Sequence, residues 1–212
     1  MHLIVEDSST FNGCHNTQQD EDTTMTTALA QPATEIATSW LIDPAHSNAE
    51  FSVRHLMISS VKGRFGDISG AVKIDPANPS AVLVDVTLKT ASVDTRQEQR
   101  DAHLRSPDFF DAEKWPTIEF RGTRVEGDTD SEFRLFGELT IRDVTRPIVL
   151  DVTKEGEGTD PWGNFRTAFS AKAKLNRTDF GLTYNQVLET GGVVVGEDIK
   201  ISIDVELTAV KN

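Results

Sequence analysis

Basic residues are absent from the start of the chain: no Lys or Arg precedes Arg54. A secretory signal opens with a basic segment and continues into an apolar one. Leu3-Ile4-Val5 is too short for the second part, so a cytoplasmic location is expected. Cysteine is nearly absent as well. Cys14 stands alone among 212 residues, which excludes an internal disulfide and fits a reducing compartment. No apolar run approaches the roughly 20 residues that a membrane-spanning helix needs. Positive charge is scarce overall, with 21 Lys and Arg against 34 Asp and Glu, a formal net charge of −13. The resulting pI near 4.7 excludes the basic face that nucleic acid requires and docking on anionic lipid by charge alone. The sequence also lacks a GxSxG elbow, an HExxH or HxH metal pair and a kinase glycine-rich loop.

What is present falls into two parts. Residues 1–38 are rich in Thr, Asn, Gln, Asp and Glu and sustain no apolar period, so they are expected to form a disordered polar leader. Met25 within it offers an alternative initiator. From residue 39 to 212 the pattern has period two, the mark of strands with one apolar face. Trp40-Leu41-Ile42-Asp43 is a short strand ended by Pro44. Ser47–Leu56 places Phe51, Val53 and His55 on one face and Ser52 and Arg54 on the other. Ile58–Ile74 reads as one long strand bent at Gly63, Gly66 and Gly70. Val82, Val84, Val86 and Leu88 alternate with polar neighbours, as do Ile118 and Phe120. Phe133, Leu135, Leu139 and Ile141 share a face, and the segment from Arg142 to Pro147 connects them to Ile148, Leu150 and Val152. Glu155–Trp162 reads as an exposed loop. Phe165, Phe169, Ala171, Ala173 and Leu175 share the next face. Ile199, Ile201, Ile203, Val205 and Leu207 form the most regular strand.

One segment breaks the pattern. Asp94–Phe110 reads as the single helix, opened by a Thr95–Glu98 capping box and stopped at Ser106-Pro107. Arg96, Glu98, Arg100, Asp101 and Arg105 make it too polar for a core helix. It is expected to lie as a flap across the end of a sheet, pinned by Leu104, Phe109 and Phe110.

About eight antiparallel strands, several long and glycine-bent, favour an all-β fold in which one sheet curls into a barrel. Such a barrel either fills itself or encloses one small ligand. The small inward candidates Ala49, Gly63, Gly137, Ala171 and Ala173 would leave volume among the Phe rings, or would serve the taper of a filled barrel. Both readings stand on these residues alone.

Several motifs then occur in order: Trp40-Leu41-Ile42-Asp43-Pro44-Ala45-His46-Ser47, Phe51-Ser52-Val53-Arg54-His55, Asp94-Thr95, Asp101–Phe110 and Pro116. Gly137–Pro147 and Asn176-Arg177-Thr178-Asp179-Phe180-Gly181 follow. From Trp40 onward the chain resembles the bacterial YceI-like family of polyisoprenoid-binding proteins. The resemblance implies an eight-stranded antiparallel lipocalin-like barrel with the mid-chain helix near its mouth. It also implies an apolar cavity for an amphiphilic lipid of the polyisoprenoid, quinone or fatty-acyl type, held for sequestration or transport. No cofactor beyond such a lipid is implied, and a homodimer is suggested. Many members of the family are periplasmic, from which this chain's polar start departs.

On this reading Phe51, Val53, His55, Phe65, Phe120, Leu139, Ile141, Phe169, Phe180 and Leu182 are the ligand-binding candidates. Arg54, His103, Arg105, Phe109 and Phe110 are candidates for a head-group contact or gate, with the loop 183–197 as a second gate. Arg100 and Arg177 are further guanidinium candidates for an anionic head group. His46, His55 and His103 as a metal or general-base set have no recognisable spacing, and hydrogen bonds to turns and strand ends account for them more simply. Asp101 and His103, two apart on a helix, cannot pair directly. No catalytic residue is therefore assigned. A small hydrolase or isomerase acting through His and Asp groups, and a filled barrel acting as an interaction module, are the alternatives.

Overall fold

The computed structural model describes residues 39–75, 78–187 and 193–211. The expected leader, with Cys14 and Met25, lies outside the described residues. The strands are β1 (Ser39–Ile42), β2 (Asn48–His55), β3 (Ser59–Phe65), β4 (Ile68–Asp75), β5 (Asn78–Lys89), β6 (Val93–Asp94), β7 (Thr117–Gly127), β8 (Glu132–Ile141), β9 (Val144–Thr159), β10 (Phe165–Asn176) and β11 (Val195–Ala209). The helix α1 (Glu98–Arg105) lies between β6 and β7. All pairings are antiparallel, and a β1–β11 pairing closes the sheet. The N-terminal half of β11 pairs with β2 and its C-terminal end with β1. β3 and β4 follow one another on the next stave, and β5 and β6 on the one after that. Eleven strands thus form eight staves of a closed barrel, which has no free sheet edge around most of its circumference.

Three local expectations need correction. The segment Ile58–Ile74 is two strands, because the chain breaks at Gly66-Asp67, where Gly66 N and Asp67 N bond to the Ser92 carbonyl and hydroxyl. The segment from Arg142 is a two-residue hairpin turn, with Arg142 at φ 58°, and β9 is already paired from Val144 through Pro147. Residues 155–159 belong to β9, and 156–159 pair with β10, so the exposed loop shrinks to 160–164. Acidic and glycine residues suggested a loop there, but the ladder to β10 satisfies their backbone groups.

α1 forms as expected but is capped differently. Arg96 adopts φ 62° and turns the chain before the helix begins. Gln97 becomes the N-cap, its side chain accepting from Arg100 N. Thr95 instead donates its N–H and hydroxyl to the buried carboxylate of Asp101, at 2.8 and 2.5 Å. Arg100 donates back to the Thr95 hydroxyl and carbonyl. The helix fills the space where β6 and β7 part, and Arg105 donates to the carbonyls of Ala91 and Val93 at 2.8 and 2.7 Å. These are backbone acceptors beside β6 that a neighbouring strand would otherwise satisfy.

Two arginines brace the barrel ends. Arg177 is 3 % exposed and donates to the carbonyls of Gly196 and Leu182. It ties the 3-10 turn Arg177–Phe180 to the start of β11. Burial pulls its pKa down from the usual range. At the other end Arg166 joins Asp43, Asp160 and Glu206, linking β10 to β11, to the segment after β1 and to the β9–β10 loop.

Two outcomes follow from these braces. Arg166, with help from His46, holds the Asp43 carboxyl down at about 2. A carboxylate with a depressed folded-state pKa stabilises the fold above its ordinary value of 3.8 and loses that contribution as pH falls toward 2. The melting temperature of the wild type is therefore expected to fall more steeply than that of Asp43→Asn over this window, as read by circular dichroism. Parallel curves would remove Asp43 from the acid response. Arg177→Met leaves buried carbonyls without donors and should lower stability by about 2–4 kcal/mol. An unchanged urea midpoint would contradict this.

Candidate functional site

Inside the barrel lies a cavity of about 450 Å³ lined almost wholly by apolar side chains. Period two generates it: every stave turns alternate residues inward, and those positions are occupied by Val, Ile, Leu and Phe. β5 contributes Val82, Val84, Val86 and Leu88, β8 contributes Leu135, Leu139 and Ile141, and β11 contributes Ile199, Ile201, Ile203, Val205 and Leu207. The size lies within the usual range for small-molecule sites, about 300–1,000 Å³. The barrel therefore encloses unfilled space, which resolves the alternative left open by the strand pattern.

The small inward residues divide into two kinds. Ala49 and Ala171 line the cavity. Gly63 and Gly137 do not leave space free. A Cβ on Gly63 would stand 2.4 Å from the Phe51 ring, and one on Gly137 would stand 2.7 Å from the Phe120 ring and 2.4 Å from the Arg121 carbonyl. The rings have taken the room, so these glycines shape the wall by letting an aromatic ring lie against the backbone.

Most of the ligand-binding candidates do line the cavity: Phe51, Val53, Phe65, Phe120, Leu139, Ile141, Phe169 and Leu182. Two do not. Phe180 is buried in the core on the 3-10 turn that precedes Leu182. His55 shares the parity of Phe51 and Val53, but β2 ends there. Leu56 and Met57 take φ 51° and 60°, and the β11 register opposite shifts between Val195 and Ile199. The inward row therefore stops at Val53.

The head-group and gate candidates also separate. Phe109 and Phe110 line the cavity with Leu104, closing the α1 end. Arg54 is exposed on the outer surface beside Gly196. Arg105 is committed to backbone carbonyls, as is Arg177, although Arg177 touches the cavity. His103 does not line the cavity itself. Its ring stacks edge-on against Phe109 at 5.0 Å and Tyr184 at 4.7 Å, and Nε2 lies 2.9 Å from Asp108 Oδ2. Tyr184 thereby staples α1 to the loop expected as a second gate, of which 188–192 lies outside the described residues. An aromatic in a polar loop carries no period that would have marked it.

The three histidines do not converge. His46 Nδ1 lies 3.0 Å from Asp43 Oδ2 in the turn after β1, whereas His55 ends β2 and His103 is on α1. Asp43, His46 and Glu206 are close enough to hold a cation, but the Arg166 guanidinium already sits against both carboxylates. Asn176 caps the turn in Arg177-Thr178-Asp179-Phe180 by accepting from Thr178 N at 2.9 Å.

The polar lining is concentrated far from α1. β7 starts beside the helix connection and runs 11 residues, about 33 Å from first to last, to the β7–β8 turn. There Thr129, Asp130, Lys154 and Glu157 border the cavity. No sequence signal singled out Lys154, which stands just before the Glu155–Trp162 run that reads as an exposed loop.

Residues 40–207 match the YceI-like domain. A UPF0312 protein of Pseudomonas aeruginosa is 41% identical over 157 residues, covering 73% of this chain and 82% of that protein. The structure of a YceI protein from Campylobacter jejuni superposes with a TM-score of 0.62 at 36% identity, over 74% of this chain and 90% of that one. A polyisoprenoid binding domain from Saccharophagus degradans shares the fold, with a TM-score of 0.60 at 13% identity over 82% of this chain and 99% of that one. With its closed eight-stave barrel, its mid-chain helix and these matches over nearly all the described residues, the chain belongs to the YceI-like family.

Proposed function

We propose that this protein binds the tail of a single-chain amphiphilic lipid, of the polyisoprenoid, quinone or fatty-acyl type, inside the barrel, and that its role is sequestration or transport. The carrying observation is the 450 Å³ apolar cavity, to which every stave contributes side chains. Each buried CH₂ of a tail would contribute about 0.8 kcal/mol. Ten of them give about 8 kcal/mol before the cost of lost translational and rotational freedom. Binding of this kind needs few polar contacts. The polyisoprenoid-binding description of the Saccharophagus degradans domain is in keeping with this reading, as is membership of the YceI-like family. An enzymatic reading is less well supported. The histidines that such chemistry would use, His46, His55 and His103, do not line the cavity.

Native mass spectrometry of the purified protein, with lipid extraction after denaturation, tests the reading. One discrete adduct per chain with the extracted mass of a prenyl, quinone or acyl compound is expected. An apo mass that stays unchanged after incubation with such lipids would overturn it. Phe109 and Phe110 present ring surface to the cavity at its α1 end. Truncating both to Ala should speed release of a bound fluorescent fatty acid by about tenfold, a loss of about 1.4 kcal/mol of contact. An unchanged rate in stopped-flow displacement would remove them from the site.

A further inference from the structure

The far end of the cavity carries a charge arrangement that regular strand geometry would not produce. Leu150 and Val152 face inward on β9, and Lys154 continues that row. Residue 157, three further on, would face outward in an uninterrupted strand. The register to β10 shifts here: Phe169 lies opposite Lys154 and Ala168 opposite Gly156, leaving Glu155 without a partner. This bulge returns Glu157 to the inner side, opposite the buried Thr167. Lys154 Nζ then lies 2.8 Å from Glu157 Oε2 and 2.9 Å from Asp130 Oδ1. Asp130 is carried on the β7–β8 turn, which Asp128 orders by accepting from Asp130 N and Ser131 Oγ. Lys154 N fastens the same turn through the Ser131 carbonyl at 2.8 Å.

The three charges differ in exposure. The Lys154 side chain is 16 % exposed, Glu157 50 % and Asp130 84 %. The ammonium is thus the inner group, bordering the apolar space, and Asp130 is the outer one. Both carboxylates favour its charged form, Glu157 more than Asp130.

We propose that Lys154 is the head-group site of this cavity: it pairs with the anionic oxygen of a carboxylate or phosphate amphiphile whose tail lies along the apolar lining toward Phe109 and Phe110, and Asp130 is the resident counter-ion that the head group displaces. This rests on the lipid-binding reading above. Exchange of one anion for another at the ammonium leaves the local charge balance unchanged, and the exposed Asp130 regains full hydration when it leaves. Glu157 stays beside Lys154 and keeps it oriented. An ammonium recognises either anion as a point charge, so a fatty acid and a prenyl monophosphate share the chemistry.

The test compares palmitate with hexadecanol, and farnesyl monophosphate with farnesol, by isothermal titration on the full chain. The wild type should bind an acid of either pair more tightly than its alcohol, and the pair showing this identifies the natural head group. Lys154→Met should weaken acid binding by about tenfold and leave the alcohol unchanged, and Lys154→Arg should restore the preference. Asp130→Ala should tighten acid binding several-fold, because the competing carboxylate is gone. A salt bridge serving only to hold the rim together would behave otherwise: both deletions would weaken acid and alcohol alike, and that result overturns the proposal. So does an acid affinity indifferent to Lys154→Met. If the wild type binds neither acid nor alcohol, the cavity reading itself fails.

Discussion

The barrel depends on the hydrogen-bonded closure between β1 and β11. It is short, with three residue pairs from Trp40–Ala209 to Ile42–Leu207. Without it the sheet is open, and the unpaired backbone groups of β1 and of the C-terminal end of β11 face water or other chains. With it, the inward faces of all eight staves meet around one axis. Arg166 reinforces this seam by joining Asp43, just beyond β1, to Glu206 on β11. Trp40 lies at the seam with its ring 5.8 Å from that of Phe165, so apolar packing and charge secure the same corner.

Closure makes an interior, and side-chain size determines whether it is filled. Two inner-wall glycines, Gly63 and Gly137, allow the Phe51 and Phe120 rings to come close against neighbouring strands. Both rings line the cavity, and space remains between the walls. α1 closes one end of that space through Leu104, Phe109 and Phe110. Its own polar face is engaged in local bonds: Asp101 with Thr95, and Arg105 with the Ala91 and Val93 carbonyls. A helix with so little apolar surface holds its place because its side chains complete the hydrogen bonding of backbone that strands leave unpaired there.

The two ends are therefore unlike. The α1 end is aromatic, sealed further by the His103, Phe109 and Tyr184 rings. The opposite end is charged, with Lys154 between Asp130 and Glu157. A cavity with one apolar and one charged end suits a molecule with the same asymmetry, because burying a charged group against Phe rings is costly.

The sequence by itself determined the class of fold, the strand faces and most of the cavity wall. Period two is a local property: once a segment is extended, Val82, Val84 and Val86 must share a side whatever they pair with. The family motifs between Trp40 and Gly181 were legible for a similar reason, since each is a short run of neighbouring residues in a strand, turn or cap. Tertiary structure alone decided the rest. Whether His55 continues the inward row of Phe51 and Val53 depends on the register of β11 across from it. Whether Arg105 meets a ligand or a carbonyl depends on β6 having no strand on its far side. Lys154 and Glu157 share the inner face only because a bulge against β10 displaces Glu155. Each of these is a relation between segments distant in the chain, and alternation within one segment carries no information about it.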